Sequence, residues 1–228
     1  FSTQGTFFDY DLDGDLDLRR KAYEKTIEWF PKDERAQFFA QTQIAYVEHM
    51  QDKHADAVRR LRGVLAAQKG SMPVEDSAFA EYVLAIALHG QKQDKEALDL
   101  LEGIALHKEI SSFRRAWAHT IRSQILEEKE PAKALEAAQA GLDLHDGDVV
   151  ALLRRVCVLH AQLGQAEPLK KSVAAFLARE TPRTVAQMRA MAAAVNDLAL
   201  EKPAEARLLA DTLAALGEGD RFGKEYND

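Results

Sequence analysis

The sequence predicts an all-α protein, a right-handed α-solenoid of about five to six helix-turn-helix repeats. Three observations predict this fold. Alanine, which costs least in a helix and lets helix backbones approach closely, supplies 38 of the 228 residues. A pattern of apolar helical stretches and polar breaks recurs along the chain. None of the six prolines falls inside a predicted helix, whose interior a proline destabilises by about 3 kcal/mol or more.

One position, which we call the slot, marks the start of the second helix in each predicted pair. The slot holds in turn Arg19, Ala57, Ala97, Ala134, Leu169 and Ala206. The successive spacings are 38, 40, 37, 35 and 37 residues. The polar breaks before the slots predict helix pairs that turn near 13–15, 51–54, 91–94, 128–131, 164–167 and 201–203. A period this regular is typical of a helical solenoid, whose repeats pack on their neighbours.

These features resemble the tetratricopeptide repeat (TPR) family, in a degenerate form. That family has a 34-residue pair of helices with small residues at the crossing and a proline near the end. If the slot is position 20 of the unit, position 8 holds Ala45, Ala85, Cys157 and Ala194. The pattern departs at Arg122 and Phe7, which fill position 8 in the other two repeats. We expect one domain over 1–216, with repeats at roughly 1–34, 38–71, 78–111, 115–148, 150–183 and 187–216, and a tail over 217–228.

Charge and hydropathy exclude several classes of protein. The 30 basic and 37 acidic residues give a net charge of -7, which argues against nucleic acid as a partner. The longest apolar runs, such as 83–88, are too short to cross a bilayer. We therefore expect a soluble protein, cytoplasmic or bacterial periplasmic. The start at Phe1, without a methionine or a basic segment, indicates a processed or excised chain.

Five aspartates alternate around Gly14: Asp9, Asp11, Asp13, Asp15 and Asp17. Oxygen ligands at alternate positions are typical of a calcium loop, but the position that should supply a bidentate Glu holds Arg20. Two interpretations stay open. The loop is either a weak calcium site, the one cofactor that we consider, or a turn whose aspartates cap the next helix.

We expect no enzyme activity from this chain. The sequence contains no HExxH, CxxC or phosphate-binding glycine loop. His49, His89 and His119 fall on the first helices of consecutive repeats, too far apart to hold one metal ion. Cys157 fills a small-residue position, where a buried thiol is unreactive.

In the TPR family the first helices of the repeats line a concave groove, and the resemblance implies such a groove here. Aromatic and methionine side chains at the positions that would face it are the types that make adaptable binding surfaces. The candidate residues are Phe39, Tyr46, His49, Met50, Phe79, Tyr82, Ile86, His89, His119, Ser123, Arg154, Val158, Met188, Met191 and Val195. The alternative is that several of them pack between neighbouring helices. We expect a noncatalytic scaffold or adaptor that binds a peptide or helix of a partner protein in this groove.

A further comparison with the family bears on the partner. Some members grip a terminal carboxylate with paired Lys and Asn, but the matching pairs here are Thr42 and Tyr46, Tyr82 and Ile86, and His119 and Ser123. This clamp is therefore absent from the sequence.

The alternative function is a self-assembling structural or accessory subunit of a larger complex, such as an envelope or secretion complex. Phe1, Phe7 and Phe8 on the first repeat favour self-association, because an apolar end of a solenoid needs a cover.

Overall fold

A computed structural model describes residues 15–68, 70–144, 146, 149–178 and 185–217, and for 185–190 it describes the backbone alone. Eleven α-helices make up 83% of the described residues, which include no strand. The predicted all-α fold of helix-turn-helix repeats is confirmed. The chain divides into two compact units, Phe1–Arg114 and Arg115–Asp228. The predicted limits of the single domain and its tail stay predictions.

The first unit is built from helices that pack in chain order. They are α1 (Leu16–Trp29), α2 (Glu34–Met50), α3 (His54–Ala67), α4 (Val74–Gly90) and α5 (Asp94–Leu106). Each helix contacts the next, and α2 also contacts α4. The helices α2 and α4 are the first helices of their repeats, and their mutual contact places their outer faces side by side.

The second unit contains most of α6 and the helices after it. They are α6 (Ser112–Leu126), α7 (Pro131–Asp143), α8 (Val149–Gln162), α9 (Ala166–Leu177), α10 (Val185–Glu201) and α11 (Pro203–Gly217). The first helices α8 and α10 contact each other, while α11 contacts both α8 and α9. The core of this unit includes the fully buried Cys157, Leu169, Val173 and Leu209.

The slots are buried because they are where the second helix of a pair meets the first. Ala57, Ala97, Ala134 and Leu169 are all 0% exposed, and Ala206 is 3% exposed. The side chain at each crossing has to match the space between the two helices, which alanine fills in four repeats and leucine in one. The pattern in the sequence therefore marks the crossing points correctly in five repeats. Arg19, in the slot of α1, is only half-buried.

Three of the described turns between paired helices share one backbone conformation. Asp52, Lys92 and Gly164 all have a positive φ, between 59° and 65°. After each of them, a backbone N–H reaches back to the preceding helix: Lys53 to the Glu48 carbonyl at 2.8 Å, Gln93 to Leu88 at 2.9 Å, and Gln165 to His160 at 2.9 Å. These hydrogen bonds satisfy carbonyls at the helix end. They fix the short turns that the polar breaks predict.

One of the prolines lies elsewhere than predicted. Pro168 falls inside the first turn of α9, which begins at Ala166, instead of between the helices. The first-turn amides of a helix have no acceptor within the helix, so the missing N–H of proline costs little there. Pro131 and Pro203 open α7 and α11 for the same reason. Pro182 lies outside the described residues.

A buried carboxylate joins the first three helices. Glu48, whose side chain is 3% exposed, accepts hydrogen bonds from Arg60 Nε at 3.0 Å and from a terminal nitrogen of Arg60 at 2.7 Å. Arg60 also donates to Gln41, and a guanidinium nitrogen of Arg20 lies 3.7 Å from Glu48 Oε1. The network compensates the cost of burying the charge of Glu48.

Among the described helices, none combines the length and the apolar character needed to span a membrane.

Candidate partner-binding surfaces

A groove in the second unit lies between the first helices α6, α8 and α10. It has a volume of about 890 Å³. Its apolar floor is formed by Val158, Ala193, Ala194 and Leu198. Two alanines side by side on α10 leave room for another chain to approach closely. We call this surface the charged groove, because most of its other lining residues are charged.

The walls of the charged groove carry one internal ion pair. Arg155 on α8 pairs with Glu127, which follows α6. Gln162 Nε2 donates to Glu127 Oε1 at 3.2 Å. Burial lowers the pKa of Arg155, and the carboxylate of Glu127 opposes that effect. The pair is therefore satisfied within the groove.

Other charges of the groove have no ion-pair partner among the described residues. They are Glu128, Arg154, Asp197, Glu201 and Lys202. Asp197 and Glu201 stand four residues apart on α10 and are exposed. Arg154 is half-buried on α8. These groups are hydrated in the free protein and are available to a ligand.

In the first unit, the structure brings together four of the candidate residues on α2 and α4. The rings of Tyr46 and His49 are stacked, with centroids 6.5 Å apart and 12° between their planes. Burial and then the adjacent Tyr46 raise the pKa of Tyr82 to about 12. Burial and then the nearby His54 lower the pKa of His49, and His89 lies close enough to add to the effect. We call Tyr46, His49, Tyr82 and His89 the ring cluster.

The end of the ring cluster packs against His54, the first residue of α3. The ring of His54 lies 4.9 Å from that of His49 and packs against Gly90, where a Cβ would come within 2.6 Å of it. His89 Nδ1 lies 2.7 Å from Asp94 Oδ1. Gly90 is therefore required for space, since any side chain there would displace His54.

Three other candidate residues lie at the margins of this face. Phe39 and Met50 are exposed and turn toward α1, where the Tyr23 ring lies 6.1 Å from that of Phe39 in an edge-on arrangement. The guanidinium of Arg114 covers the ring of Phe79 at 5.0 Å, and its Nε donates to Glu75 at 2.7 Å. The apolar face of the first unit thus extends beyond the ring cluster.

Three candidate residues, Ile86, His119 and Met191, fit the alternative that several of the candidates pack between helices. Ile86 is 9% exposed, His119 is 7% exposed and Met191 is 1% exposed, so all three are packing residues. A first helix packs against its neighbours on both sides as well as its own partner, and the face that remains accessible is narrower than the fixed family positions assume. The side chain of Met188 lies outside the described residues. Arg154 and Val158 do line the charged groove.

His119 is buried against α7 as a neutral imidazole. A Cβ at Gly141 would lie 3.1 Å from His119 Cβ, so this glycine makes room for the histidine. Burial, and then the nearby guanidinium groups of Arg122 and Arg115, lower the pKa of His119 to about 4. Its Nδ1 atom has no hydrogen-bond partner among the described residues. Ser123, one turn further on, is also fully buried.

The aspartate-rich loop is described only in part. Asp9, Asp11 and Asp13 lie outside the described residues. Asp15 caps α1 by accepting a hydrogen bond from the Leu18 N–H at 2.9 Å, and Asp17 accepts one from Gln51 Nε2 at 2.9 Å. No group of three or more suitable side chains in the described part of the chain could hold a metal ion. The capping role of Asp15 is as predicted, and a calcium site stays a prediction.

Sequence reasoning missed most of the charged residues of the groove. Glu127, Asp197, Glu201 and Lys202 were not among the candidates, because the family positions that face a groove select mainly the middle of each helix. A signal was present in the four-residue spacing of Asp197 and Glu201, which puts both carboxylates on one face of α10.

Paired helices that recur with small residues at their crossings define a TPR-like helical repeat fold. No protein-family model matches the sequence, and no curated protein matches it. The fold is similar to that of a Podosopora anserina protein whose nearly identical TPR-like repeats are described as those of a kinesin light chain. The TM-score is 0.59 at 17% identity, over 82% of this chain and 97% of that chain. A single-substitution variant of that protein gives 0.59 at 18% identity, over 81% and 96%.

Proposed function

We propose that this chain is a noncatalytic scaffold that binds a segment of a partner protein in the charged groove. The observation that carries the proposal is the groove itself, with a volume of about 890 Å³ and a small apolar floor surrounded by charges that have no ion-pair partner in the described part of the chain. Concave sites with a few polar groups around an apolar centre are the ones that ligands occupy. The groove lies on the first helices of its repeats, which is the face used by the family that the sequence resembles.

The chemistry of the lining supports a noncatalytic role. Covalent catalysis needs a nucleophile, a base and an orienting group in one pocket. The described lining of the groove includes no Ser, Thr, Cys, His or Tyr. Burial raises the pKa of the Cys157 thiol to about 12, so that it stays protonated and inert. His119 and Ser123 are buried away from any substrate.

Photo-crosslinking tests this function. A photoreactive residue is placed at Ala193, which is exposed on the groove floor, or at Glu136, which is exposed on α7 outside the groove. In an extract of the source cells, the Ala193 probe should crosslink one defined peptide segment that the Glu136 probe does not reach. That segment, made as a synthetic peptide, should bind the parent chain and fail to bind Ala193→Trp. Identical products from both probes, or binding that Ala193→Trp leaves intact, would contradict the proposal.

A second candidate function, self-assembly, is supported by α1. Trp29 is 69% exposed and Phe30 is 52% exposed at the end of this helix, which has no buried residue. Exposed aromatic residues in a cluster favour contact with another surface. Sedimentation should then show association that increases with concentration and that Trp29→Ser with Phe30→Ser removes. A strict monomer at high concentration would rule this function out.

A further inference from the structure

The inference below rests on the proposed function and concerns the chemistry of the partner. At one end of the charged groove, three helices present their C-termini. Glu127 and Glu128 follow α6, Gln162 ends α8, and Glu201 ends α10, and all of them line the same groove. The free carbonyl groups of a helix C-terminus carry a partial negative charge. Three such ends together favour a cation.

Most of the charged side chains at this end are negative, as are the partial charges of the helix C-termini. Neither α6 nor α10 has a basic residue in its last turn, where helices normally prefer one. After the pairing of Arg155 with Glu127, the carboxylates of Glu128, Asp197 and Glu201 remain at this end, and among the described lining residues there the ammonium of Lys202 opposes them. Carboxylates at the C-terminus of a helix are unfavourable in the free protein. A cationic ligand would relieve that repulsion.

The spacing of the carboxylates defines the shape of the cationic ligand. Asp197 and Glu201 are four residues apart on one helix, which separates them by about 6 Å along its axis. Two basic residues one turn apart on a second helix have the same separation. Between the walls, Val158 and Ala193 offer an apolar floor to an apolar stripe of that helix. Arg154, eight residues before Gln162 on α8, lies toward the other end of the groove and suits an acidic residue.

We propose that the occupant of the charged groove is a basic amphipathic helix of a partner protein. Two Lys or Arg residues, one turn apart, pair with Asp197 and Glu201 near the three helix C-termini. An aliphatic stripe of the same helix covers the floor at Val158 and Ala193. An acidic residue further along the helix reaches Arg154. The charge pattern thus fixes both the register and the direction of the bound helix.

A peptide selection tests this charge pattern. The probe is a displayed library of helical peptides with a constant aliphatic stripe, in which the flanking positions vary among Lys, Glu and Gln. It is selected on the full parent chain and on a variant that combines Asp197→Lys with Glu201→Lys. The parent should enrich Lys at two positions one turn apart. The reversed variant should enrich Glu at those same positions. Equal preferences on both proteins would overturn the inference.

The best binder from the parent selection is then measured by fluorescence anisotropy. Asp197→Asn with Glu201→Gln should weaken its binding about five- to tenfold at low salt. The difference should shrink at about 0.5 M salt, because exposed pairs are screened. The matched control removes two carboxylates from α7, which does not line the groove, by Glu136→Gln with Asp143→Asn. This control should stay within about twofold of the parent.

The experiments can contradict separately the proposal that the groove is the binding site and the proposal that its charges select a basic helix. Ala193→Trp fills the floor and should abolish binding of the selected peptide. If it does so while the neutralised variant binds as well as the parent, the groove is the site but its partner is not a basic helix. If Ala193→Trp has no effect, the groove is not the site and both proposals fall. A library that yields no binder overturns the basic helix, while the crosslinking at Ala193 decides the groove by itself.

Discussion

The two units differ in the chemistry that they present on the first helices of the same kind of repeat. In the first unit, Tyr46, His49 and Tyr82 bring rings together on α2 and α4. In the second unit, α8 and α10 surround an alanine-rich floor with charged side chains. The packing beneath the two surfaces is alike, with Leu101 and Leu169 both completely buried. The repeat therefore fixes how helices pack, while the exposed face is free to change.

The two surfaces would gain binding free energy in different ways. A surface of rings gains free energy by removing apolar area from water, at about 25 cal/mol per Å². Such a gain depends little on salt. A surface of charges gains specificity and association rate, and salt weakens both. Binding at the two surfaces is thus distinguishable by ionic strength alone.

The largest expected effect tests whether the packing of the two units is really alike. Leu101→Ala in the first unit and Leu169→Ala in the second should each lower the free energy of unfolding by about 2–5 kcal/mol. Both leucines are 0% exposed, so each truncation leaves a cavity. Urea denaturation measures the loss. As a control, Lys171→Ala, exposed on α9, should change stability by less than about 0.5 kcal/mol. A loss in one unit only would show that the packing is not shared.

The next effect is an acid sensitivity that originates in the second unit. The unfolded chain protonates His119 near pH 6.5, whereas the folded chain does so only near pH 4. The folded state therefore loses stability as the pH falls through this range, by up to about 3 kcal/mol. His119→Gln should reduce the slope of unfolding free energy against pH between 4 and 6.5. Equal slopes in parent and His119→Gln would contradict the burial of a neutral imidazole.

An alkaline sensitivity should originate in the first unit. Tyr82 keeps its proton in the folded chain up to a pKa of about 12, against 10 in the unfolded chain. Stability should therefore fall as the pH rises from 10 to 12, by about 2 kcal/mol after allowance for partial exposure. Tyr82→Phe should remove this contribution when unfolding is followed by denaturant titration at each pH, and the part of the fall that the buried Cys157 thiol supplies should remain. An unchanged fall in Tyr82→Phe would contradict the burial of the Tyr82 hydroxyl.

The smallest effect concerns the end of the first unit. Asp15→Ala removes the cap of α1 and should cost about 1 kcal/mol, with or without a chelator. Thermal melts measure the loss, and Asp17→Asn provides a comparison because its carboxylate contacts Gln51 instead of the helix end. The calcium interpretation adds a separate expectation: millimolar calcium raises the melting temperature, and Asp11→Asn with Asp13→Asn abolishes the rise. No shift with calcium would leave the turn interpretation alone.

Local patterns were enough to predict the repeat. A small residue at Ala57, Ala97 or Ala134 is buried because two helices cross there, and a polar break marks each turn. These features depend on neighbours close in sequence. The sequence also assigned Tyr46 and Tyr82 to the groove side of adjacent first helices, but at different positions of the repeat, so it did not predict that they approach each other.

The rest of the site depends on contacts that one repeat cannot show. The periodicity predicts the face of the helix on which His119 and Met191 lie. How deeply that face is buried depends on the neighbouring helices. Whether Asp197 or Arg154 has an ion-pair partner is likewise decided by side chains distant in sequence. Arg155, the neighbour of Arg154, is paired with Glu127, and no pattern in the sequence separates the two arginines.

The left-handed turn residues bear on how such a chain can diversify. Asp52, Lys92 and Gly164 hold one backbone conformation with three unlike side chains. The geometry of the hairpin is thus carried by hydrogen bonds between backbone groups, and it survives exchange of the residue at its tip. Hairpins joined in this way are interchangeable modules. A hairpin that bears rings and a hairpin that bears charges could be recombined by gene duplication or by grafting, and each would bring its recognition chemistry with it.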